Sequence, residues 1–538
     1  MNSFTDLEKV LIKAHLMSMG YSNDELKRPL IAVVNSHNEI NQGHGHLNTI
    51  SAAVKRGILE AGGFPLEFNT IALCDGITGW YSGKGGVNYT YPSRDLICDS
   101  IETMILGQPI FSGMVCIATC DKIVPAMLQA MARINLPSVF ISGGPCHPLK
   151  GNVTTEDSQK SGWARKAYLK GEIEENELLR IIGSVYNTSG SCPIMGTANT
   201  MCILGEALGM SVSGSSTIPA LSAFQQQNAV TAGHKVMELV NNNITPSKIM
   251  TQSAFENAIK IMMAIGGSTN CVLHIPAIAK ELGIDIDFKD FARISDSSRF
   301  ICSVLPNGDA DIVDLHLEGG VPLVMKKIEP ILDTSVLTIN GGTLKDIIDK
   351  IIPKKSEIVW DMDDPRSTEG GITVLYGNIA PEGAIVKQSA VSESMRKFTG
   401  RAVVFNGLKD FTDNLYSQRI IPGSVIVINY VGEIGAPGYP EIPVHLLDPL
   451  VGMDIAVITD GRFSGTFYGL LIGYVMPEAA KGGSIGIIHE GDEIQIDLDS
   501  KTIHLNVDEE TLSKRENKIP NRELKGYLLR YTNEKSKN

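Results

Sequence analysis

The chain has 538 residues, a net charge of −13, 43% hydrophobic residues and 20% charged residues. This length exceeds what one hydrophobic core usually supports, so we expect two or more domains. The acidic balance and the lack of a Lys/Arg cluster argue against nucleic acid as a partner, because binding phosphates requires a basic surface. No apolar run approaches the roughly 20 residues that span a bilayer, and the N-terminus lacks a signal-peptide core. We therefore expect a cytoplasmic protein with no membrane partner.

Strands and helices alternate through the first part of the chain. Strands are predicted at 31–34, 70–74, 114–119 and 139–142, and helices at 6–20, 48–61, 94–106, 154–185 and 196–209. This alternation predicts an α/β domain with a mostly parallel sheet.

The composition of the sequence changes around 354–368, a segment that is polar and rich in turn residues. We place the domain boundary there, with an α/β domain at 1–355 and a β-rich, barrel-like domain at 365–538. Short strands separated by Gly/Pro turns are predicted at 372–375, 402–405, 424–428, 455–459, 485–488, 493–496 and 502–505.

Two predicted strands end in the same pair of residue types. Cys120-Asp121-Lys122 follows the apolar run 114–117, and Cys74-Asp75 closes the run 70–73. Ligands bind at the carboxyl ends of strands in open α/β sheets. A thiolate suits iron or zinc, whereas a carboxylate suits magnesium, so two different metals side by side are indicated. The alternative is that these are core cysteines next to surface aspartates.

All nine cysteines lie within the first 302 residues. An odd number in a chain of this size argues against disulfides and favours metal binding for a subset. Cys192, in a Gly/Ser loop, is the third candidate, and three thiolates would leave one iron of a cubane cluster open to substrate. Five other cysteines lie in apolar or helical contexts and are interpreted as packing residues: Cys98, Cys116, Cys202, Cys271 and Cys302.

A polar loop follows the strand predicted at 31–34. It contains His37 and Asn38, and then His44 and His46. Three histidines in ten residues also allow a zinc site, but strand-end loops commonly direct polar side chains toward substrate. We favour the second interpretation.

Several motifs, taken together and in order, resemble the family of dihydroxy-acid and aldonate (sugar-acid) dehydratases, which includes 6-phosphogluconate dehydratase. They cover nearly the whole chain. The motifs are Asn35-Ser36-His37-Asn38-Glu39, Cys74-Asp75-Gly76, Cys120-Asp121-Lys122, Gly190-Ser191-Cys192, Thr197-Ala198-Asn199-Thr200, Gly266-Gly267-Ser268-Thr269-Asn270, Glu369-Gly370-Gly371, Lys387-Gln388-Ser389-Ala390, Pro437-Gly438-Tyr439-Pro440-Glu441 and Asp460-Gly461-Arg462-Phe463-Ser464-Gly465.

The resemblance implies an active site between an α/β domain and a β-barrel domain, in an enzyme that converts a 2,3-dihydroxy acid to a 2-keto acid. It implies an iron–sulfur cluster, Mg²⁺, a catalytic base and a homodimer or homotetramer. By resemblance Cys74, Cys120 and Cys192 hold the cluster, Asp75, Asp121, Glu441 and a carbamylated Lys122 hold Mg²⁺, Ser464 is the alkoxide base, and His37, Asn38 and Thr197 contact substrate.

Two departures from the family pattern refine these expectations. Family members with a [2Fe–2S] cluster carry a cysteine where this chain has Gly43, and this chain has Cys74 before Asp75 instead. A [4Fe–4S] cluster is therefore favoured, with [2Fe–2S] as the alternative. Ser464-Gly465-Thr466-Phe467-Tyr468 resembles sugar-acid members, and Pro125-Ala126-Met127 departs from the Pro-Gly-Met of branched-chain dehydratases. His37, Asn38 and His44 would add hydrogen-bonding groups suited to a polyol chain. An aldonate is therefore favoured over 2,3-dihydroxy-isovalerate, the substrate of branched-chain amino acid biosynthesis.

Two other classes of protein compete with a dehydratase. An iron–sulfur electron carrier or sensor without catalytic activity would need a cluster fully ligated by protein and would have no use for Mg²⁺. A structural zinc protein would show short paired spacings, whereas these cysteines are 46 and 72 residues apart.

Overall fold

The computed structural model describes residues 5–80, 85–149, 156–415, 419–443, 446–450, 452–465, 469–517, 519 and 523–536. In the first half, four parallel strands form a sheet in the order β2-β1-β3-β4. They are β1 (Leu30–Asn35), β2 (Phe64–Asn69), β3 (Gly113–Ala118) and β4 (Ser138–Ser142). Strands β1, β3 and β4 are buried along their whole length. This explains why they are apolar without alternation.

Helices surround this sheet, and the helices that carry site residues begin at its carboxyl edge. A short hairpin, β5 (Leu337–Thr338) and β6 (Gly342–Thr343), lies near the end of this half. The helices are α1 (Asp6–Met17), α2 (Leu47–Glu60), α3 (Asp75–Trp80), α4 (Thr90–Leu106), α5 (Ile123–Ile134), α6 (Glu156–Leu169), α7 (Glu175–Val185), α8 (Thr197–Ala207), α9 (Ala223–Asn242), α10 (Pro246–Ile249), α11 (Gln252–Ile265), α12 (Cys271–Lys280), α13 (Phe288–Ser297), α14 (Ile312–Leu317), α15 (Gly320–Lys327) and α16 (Leu344–Ile348).

The second half is built on an eight-stranded sheet in the order β14-β13-β9-β10-β11-β12-β8-β7. Its two edges meet where Tyr376 pairs with β14, donating its N–H to the carbonyl of Lys501 and accepting from Ile503. The sheet is therefore a nearly closed barrel. Its elements are β7 (Thr373–Leu375), β8 (Gly383–Val386), β9 (Lys397–Asn406), α17 (Leu408–Asn414), β10 (Ser424–Asn429), β11 (Ala456–Thr459), β12 (Leu470–Met476), β13 (Glu493–Asp497), β14 (Thr502–Leu505), α18 (Glu509–Leu512) and α19 (Gly526–Lys535).

The barrel strands divide their side chains between two cores. On β10, Val425 and Val427 pack in the cluster that fills the barrel, whereas Ile426 and Ile428 pack in a second cluster that includes Phe405. Successive side chains of a strand point to opposite faces, so burial on both faces produces an unbroken apolar run.

The expected α/β and barrel-like organisation is confirmed, with three corrections to individual elements. Residues 70–74 are not a strand, because β2 ends at Asn69 and the chain then crosses to α3. Residues 485–488 form a 3₁₀ turn (Ser484–Ile487) instead of a strand. Strands β8 and β12 were missed because β8 has only four residues and begins at a glycine, Gly383, and because Gly473 interrupts the apolar pattern of β12. The domain boundary near 354–368 stays a prediction. In the described ranges no helix is both long and apolar enough to cross a membrane.

Candidate active site

A cavity of about 1450 Å³ lies between the parallel sheet and the barrel. Its position follows from the fold, because α3, α5 and α8 begin beside the carboxyl edge of the sheet and present their first residues to it. The sequence-predicted residues that line it are Cys74, Asp75, Cys120, Asp121, Cys192, Thr197, Glu441 and Ser464.

The Lys122 ammonium lies at the centre of the carboxylate cluster. Its Nζ atom is 2.5 Å from Oδ2 of Asp75, 3.5 Å from Oε2 of Glu441 and 3.8 Å from Oδ2 of Asp121. The lysine side chain is fully buried. Asp75, Asp121 and Lys122 come from the first half and Glu441 comes from the barrel, so this cluster joins the two halves.

The cluster contains more negative charge than its single lysine balances. Burial, with the charges of Asp75 and Glu441, raises the pKa of Asp121 to about 7 against the opposing effect of Lys122. Burial opposes ionisation of Glu441 as well, but Lys122 and Arg462 hold the pKa of this carboxyl below its ordinary value. Oδ1 of Asp75 is buried without a hydrogen-bond partner in the described part of the chain. An additional cation would neutralise this excess negative charge.

The donor set fits a hard divalent cation such as Mg²⁺, which prefers carboxylate oxygens. Among the described residues, no three Cys, His, Asp or Glu side chains converge closely enough to hold an ion in the present arrangement. The ammonium of Lys122 occupies the space between the carboxylates. Conversion of this ammonium to a carbamate, as the resemblance implies, would turn a competing cation into a fourth oxygen ligand.

The cysteine thiols lie in an environment that does not stabilise thiolates by itself. Cys192 is exposed to the cavity, and Cys74 and Cys120 are half-buried. The surrounding protein desolvates all three thiols and so raises their pKa, and Asp121, Cys192 and Cys74 raise the pKa of Cys120 further. The thiols are therefore close enough to influence one another. Neighbouring thiolates of like charge require a compensating cation, and iron is a suitable partner for this ligand type.

The loop 41–44 packs directly on Cys120. The backbone N–H of Cys120 donates to Nε2 of His44 at 3.2 Å, and Sγ of Cys120 lies 3.5 Å from Oδ1 of Asn41. A Cβ atom at Gly43 would overlap with Sγ of Cys120. This position therefore has no room for a side chain unless Cys120 moves. The close approach agrees with a cluster that uses Cys74 and not a residue at 43.

Ser464 lies at the end of a loop that is held at three consecutive carbonyl groups. Thr269 donates its hydroxyl to the carbonyl of Phe463 at 2.5 Å, and Ser268 donates to the carbonyl of Ser464 at 2.5 Å. Lys387 donates to the carbonyl of Gly465 at 2.8 Å. Ser464 is 7% exposed, so the serine is fixed at the cavity wall and largely shielded from water.

Sequence reasoning missed the buried network behind Glu441. Asn270 donates to Glu441 at 2.7 Å and to Thr197 at 2.9 Å, and it accepts from Arg462 at 2.7 Å and from Tyr474 at 2.8 Å. Asn270 and Arg462 both belong to motifs that we identified. Only tertiary structure shows that they meet, because 192 residues separate them.

The side chains of the polar loop after β1 make hydrogen bonds mainly to nearby backbone groups. The Asn38 amide donates weakly to the carbonyls of Ser36 and Ala72, and its oxygen accepts from backbone N–H groups. His44 is fully buried against Ser36, and burial lowers its pKa to about 3. His46 contacts the carbonyl of Gly143.

His37 and Asn38 are not among the residues that line the cavity. Of the substrate contacts expected here, only Thr197 lies on the cavity wall. Thr466, Phe467 and Tyr468 lie outside the described residues.

Comparison with known proteins agrees with this geometry. Residues 28–347 match the family model of the dihydroxy-acid/6-phosphogluconate dehydratase N-terminal region, and residues 357–538 match its C-terminal counterpart. Relatives named dihydroxy-acid dehydratase include those of Caldanaerobacter subterraneus subsp. tengcongensis (44% identical, 98% of this chain, 96% of that protein) and Moorella thermoacetica (43%, 98%, 96%). Dihydroxy-acid dehydratase 1 of Methanosarcina acetivorans is 40% identical over 97% of this chain and 96% of its own length. The chain is therefore an enzyme of the dihydroxy-acid/6-phosphogluconate dehydratase family, a family of hydro-lyases.

Proposed function

We propose that the chain is a dihydroxy-acid dehydratase that converts 2,3-dihydroxy-isovalerate to 2-ketoisovalerate. The observation that carries the chemistry is that candidate soft ligands, candidate hard ligands and Ser464 line one cavity. This choice of substrate reverses the expectation of a sugar acid. The relatives that match nearly the whole chain are named dihydroxy-acid dehydratases.

The cavity lining supports an aliphatic substrate. Its wall includes Ile194, Leu305, Val391, Met395 and Leu447, which can pack against a branched carbon chain. Two of the side chains expected to bind the hydroxyl groups of a polyol, Asn38 and His44, instead make hydrogen bonds within their own loop. The remaining support for a sugar acid is the 466–468 segment and Pro125-Ala126-Met127.

The cofactor assignment rests on the residues that face the cavity. Cys74, Cys120 and Cys192 would hold a [4Fe–4S] cluster, and Asp75, Asp121, Glu441 and Lys122 would hold Mg²⁺. When bound, these groups supply Lewis acidity that weakens the C3–hydroxyl bond and makes the C2 proton easier to remove.

The residues of the chain provide the base and the alignment. Ser464, as the alkoxide, takes the proton from C2 while the C–H electron pair forms the C2–C3 double bond. The C3–oxygen bond breaks, and the hydroxide leaves with its electron pair and takes the proton that Ser464 received, which gives water and regenerates the alkoxide. The enol then tautomerises to the 2-keto acid. The donors on the 463–465 carbonyls keep Ser464 positioned, which lowers the entropic cost of reaching the transition state.

An anaerobic substrate comparison tests this proposal. Holoenzyme purified without oxygen is given 2,3-dihydroxy-isovalerate, gluconate, xylonate or arabinonate, and 2-keto acid formation is followed. We expect the highest kcat/KM for dihydroxy-isovalerate and loss of turnover with EDTA. A higher kcat/KM for any aldonate would contradict the substrate assignment. Turnover that does not respond to EDTA would contradict the role of Mg²⁺, and no turnover of any of these acids would favour an electron carrier or sensor.

A further inference from the structure

We propose that Lys387 is a positioning residue for Ser464: it holds the turn that presents the serine, and its positive charge favours the alkoxide. This inference rests on the proposed function, because it assigns Lys387 a role in the same reaction. Lys387 directly follows β8 in the barrel, and its Nζ atom donates to the carbonyl of Gly465 at 2.8 Å.

The turn at Gly465 and the lysine side chain fit closely together. Gly465 has a φ of +71°, a left-handed conformation that favours glycine. A Cβ atom at this position would lie 3.1 Å from Cδ of Lys387. The methylene stem of the lysine therefore packs under the turn while its amine holds the carbonyl. Either contact alone would restrict the turn, and together they fix the peptide that follows Ser464.

The lysine is buried without an acidic partner. It is 5% exposed, and among the residues that the structure describes no carboxylate pairs with it. Burial lowers its pKa to about 7, and only Cys271 of α12 opposes this effect. Burying an unpaired ammonium is costly, and a merely structural contact to a carbonyl could be made by a neutral donor. The positive charge itself is the property that a dehydratase with a serine base can use.

A small cavity of about 10 Å³ lies behind the turn, lined by Lys387, Thr269, Phe463, Gly465 and Tyr474 among others. This volume is near the minimum for a single water molecule, so the surroundings of the ammonium are dry or nearly dry. A charge in such surroundings acts strongly on a neighbouring ionisable group. We therefore expect a protonated Lys387, bound to the carbonyl next to Ser464, to favour the ionised form of the serine.

The charged and titratable groups around this lysine come from three elements. Cys271 of α12 faces it, and burial raises the pKa of this thiol far above the neutral range. Tyr474 of β12 lines the same small cavity, and burial raises its pKa as well. Ser464 itself lies on the loop that Lys387 holds. Of these residues, therefore, only Lys387 changes its charge near neutral pH, and we expect its titration to appear in the pH dependence of kcat.

The test uses the holoenzyme with 2,3-dihydroxy-isovalerate and three variants. Lys387→Met removes the charge, Lys387→Arg keeps it, and Tyr474→Phe removes an uncharged donor to the carbonyl of Phe463. We expect Lys387→Met to lower kcat about 100-fold with little change in KM or iron content. Lys387→Arg should restore most of kcat and move the alkaline decline of the kcat–pH profile to higher pH. Tyr474→Phe should lower kcat without moving that profile.

The inference would be overturned if Lys387→Met kept wild-type kcat, or if Lys387→Arg left the pH profile where the wild type has it. The Arg variant preserves the charge, so it remains informative even if the Met variant does not fold. Failure of the proposed function is distinguishable, because it would show as a wild-type enzyme that does not turn over dihydroxy acids. An active wild type with silent Lys387 variants would count against this inference alone.

Discussion

The ammonium nitrogen of Lys122 lies 2.5 Å from Oδ2 of Asp75, and this pair joins the helix that begins after β2 to the helix that begins after β3. Asp121 and Glu441 lie within 4 Å of the same nitrogen. Although burial opposes its charged form, the three carboxylates raise the pKa of Lys122. In the chain without metal, this lysine is thus the cation that all three carboxylates share, while Arg462 pairs with Glu441 alone among them.

Removing the Lys122 charge should therefore destabilise the apo chain. We expect Lys122→Met to lower the free energy of unfolding by about 3 kcal/mol, because an uncompensated cluster of buried carboxylates remains. Chemical unfolding of the apo protein measures the change. As a control, Lys397→Met on β9, where the lysine is 66% exposed, should change stability very little. Equal stability of the two variants would show that the carboxylates do not depend on Lys122.

Loss of Cys74 should remove the cluster. We expect Cys74→Ser, purified without oxygen, to lose most of its iron and sulfide, because serine is a poor replacement for a thiolate ligand. The matched control is Cys98→Ala on α4, a buried cysteine outside the cavity. Iron and sulfide analysis with the visible spectrum measures both. Full cluster content in Cys74→Ser, or two irons per chain in the wild type, would contradict the [4Fe–4S] assignment.

Arg462 should affect Mg²⁺ affinity without contacting the ion. Its side chain is fully buried, donates to Asn270 and lies 3.4 Å from Glu441. We expect Arg462→Met to weaken Mg²⁺ binding by roughly 10- to 100-fold, because groups that orient metal ligands have effects of this size. Calorimetric titration with Mg²⁺ measures the affinity. Arg401→Met, at an exposed position on β9, should bind like the wild type, and an unchanged affinity in Arg462→Met would contradict the role of this network.

Glu478 should make stability depend on pH. Burial raises its pKa to about 7, although it accepts a hydrogen bond from the backbone of Ile434. The folded chain therefore binds this proton more tightly than the unfolded chain. Its contribution is full below the ordinary pKa and is lost as pH rises toward 7, with a slope of up to ~1.4 kcal/mol per pH unit.

Glu478→Gln tests this dependence, because glutamine keeps an oxygen for Ile434 but does not titrate. The midpoint of thermal unfolding, followed by circular dichroism between about pH 5 and pH 7, should fall less steeply in the variant than in the wild type. Parallel curves for the two proteins would show that Glu478 is not the group responsible.

The fold and much of the site could be predicted from sequence because local patterns encode them. The apolar runs of β1, β3 and β4 are buried on both faces, and the Cys-Asp pair after β3 lies where strand-end ligands belong. The strand assigned to 70–74 was wrong because periodicity does not distinguish a buried strand from an apolar crossing segment.

The remaining features of the site depend on tertiary contacts, which the sequence alone does not show. Asn270 and Lys387 both lie in motifs of the sequence, but nothing in those motifs indicates which side chains they contact. Arg462 reaches Asn270 only where the barrel packs on the first half, and Gly465 reaches Lys387 only within the folded barrel. The preference for a sugar acid relied on the 464–468 motif and on His37, Asn38 and His44. The side chains of Asn38 and His44 make hydrogen bonds inside their own loop.

The central claim is that ligands from the first half and a base from the barrel make one dehydratase site. The most direct measurement is kcat for 2,3-dihydroxy-isovalerate in Ser464→Ala holoenzyme whose iron and Mg²⁺ content equals that of the wild type. We predict a fall of at least about 1000-fold, because no other base removes the C2 proton. A variant with full cofactor content that retains kcat within about tenfold of the wild type would contradict the account.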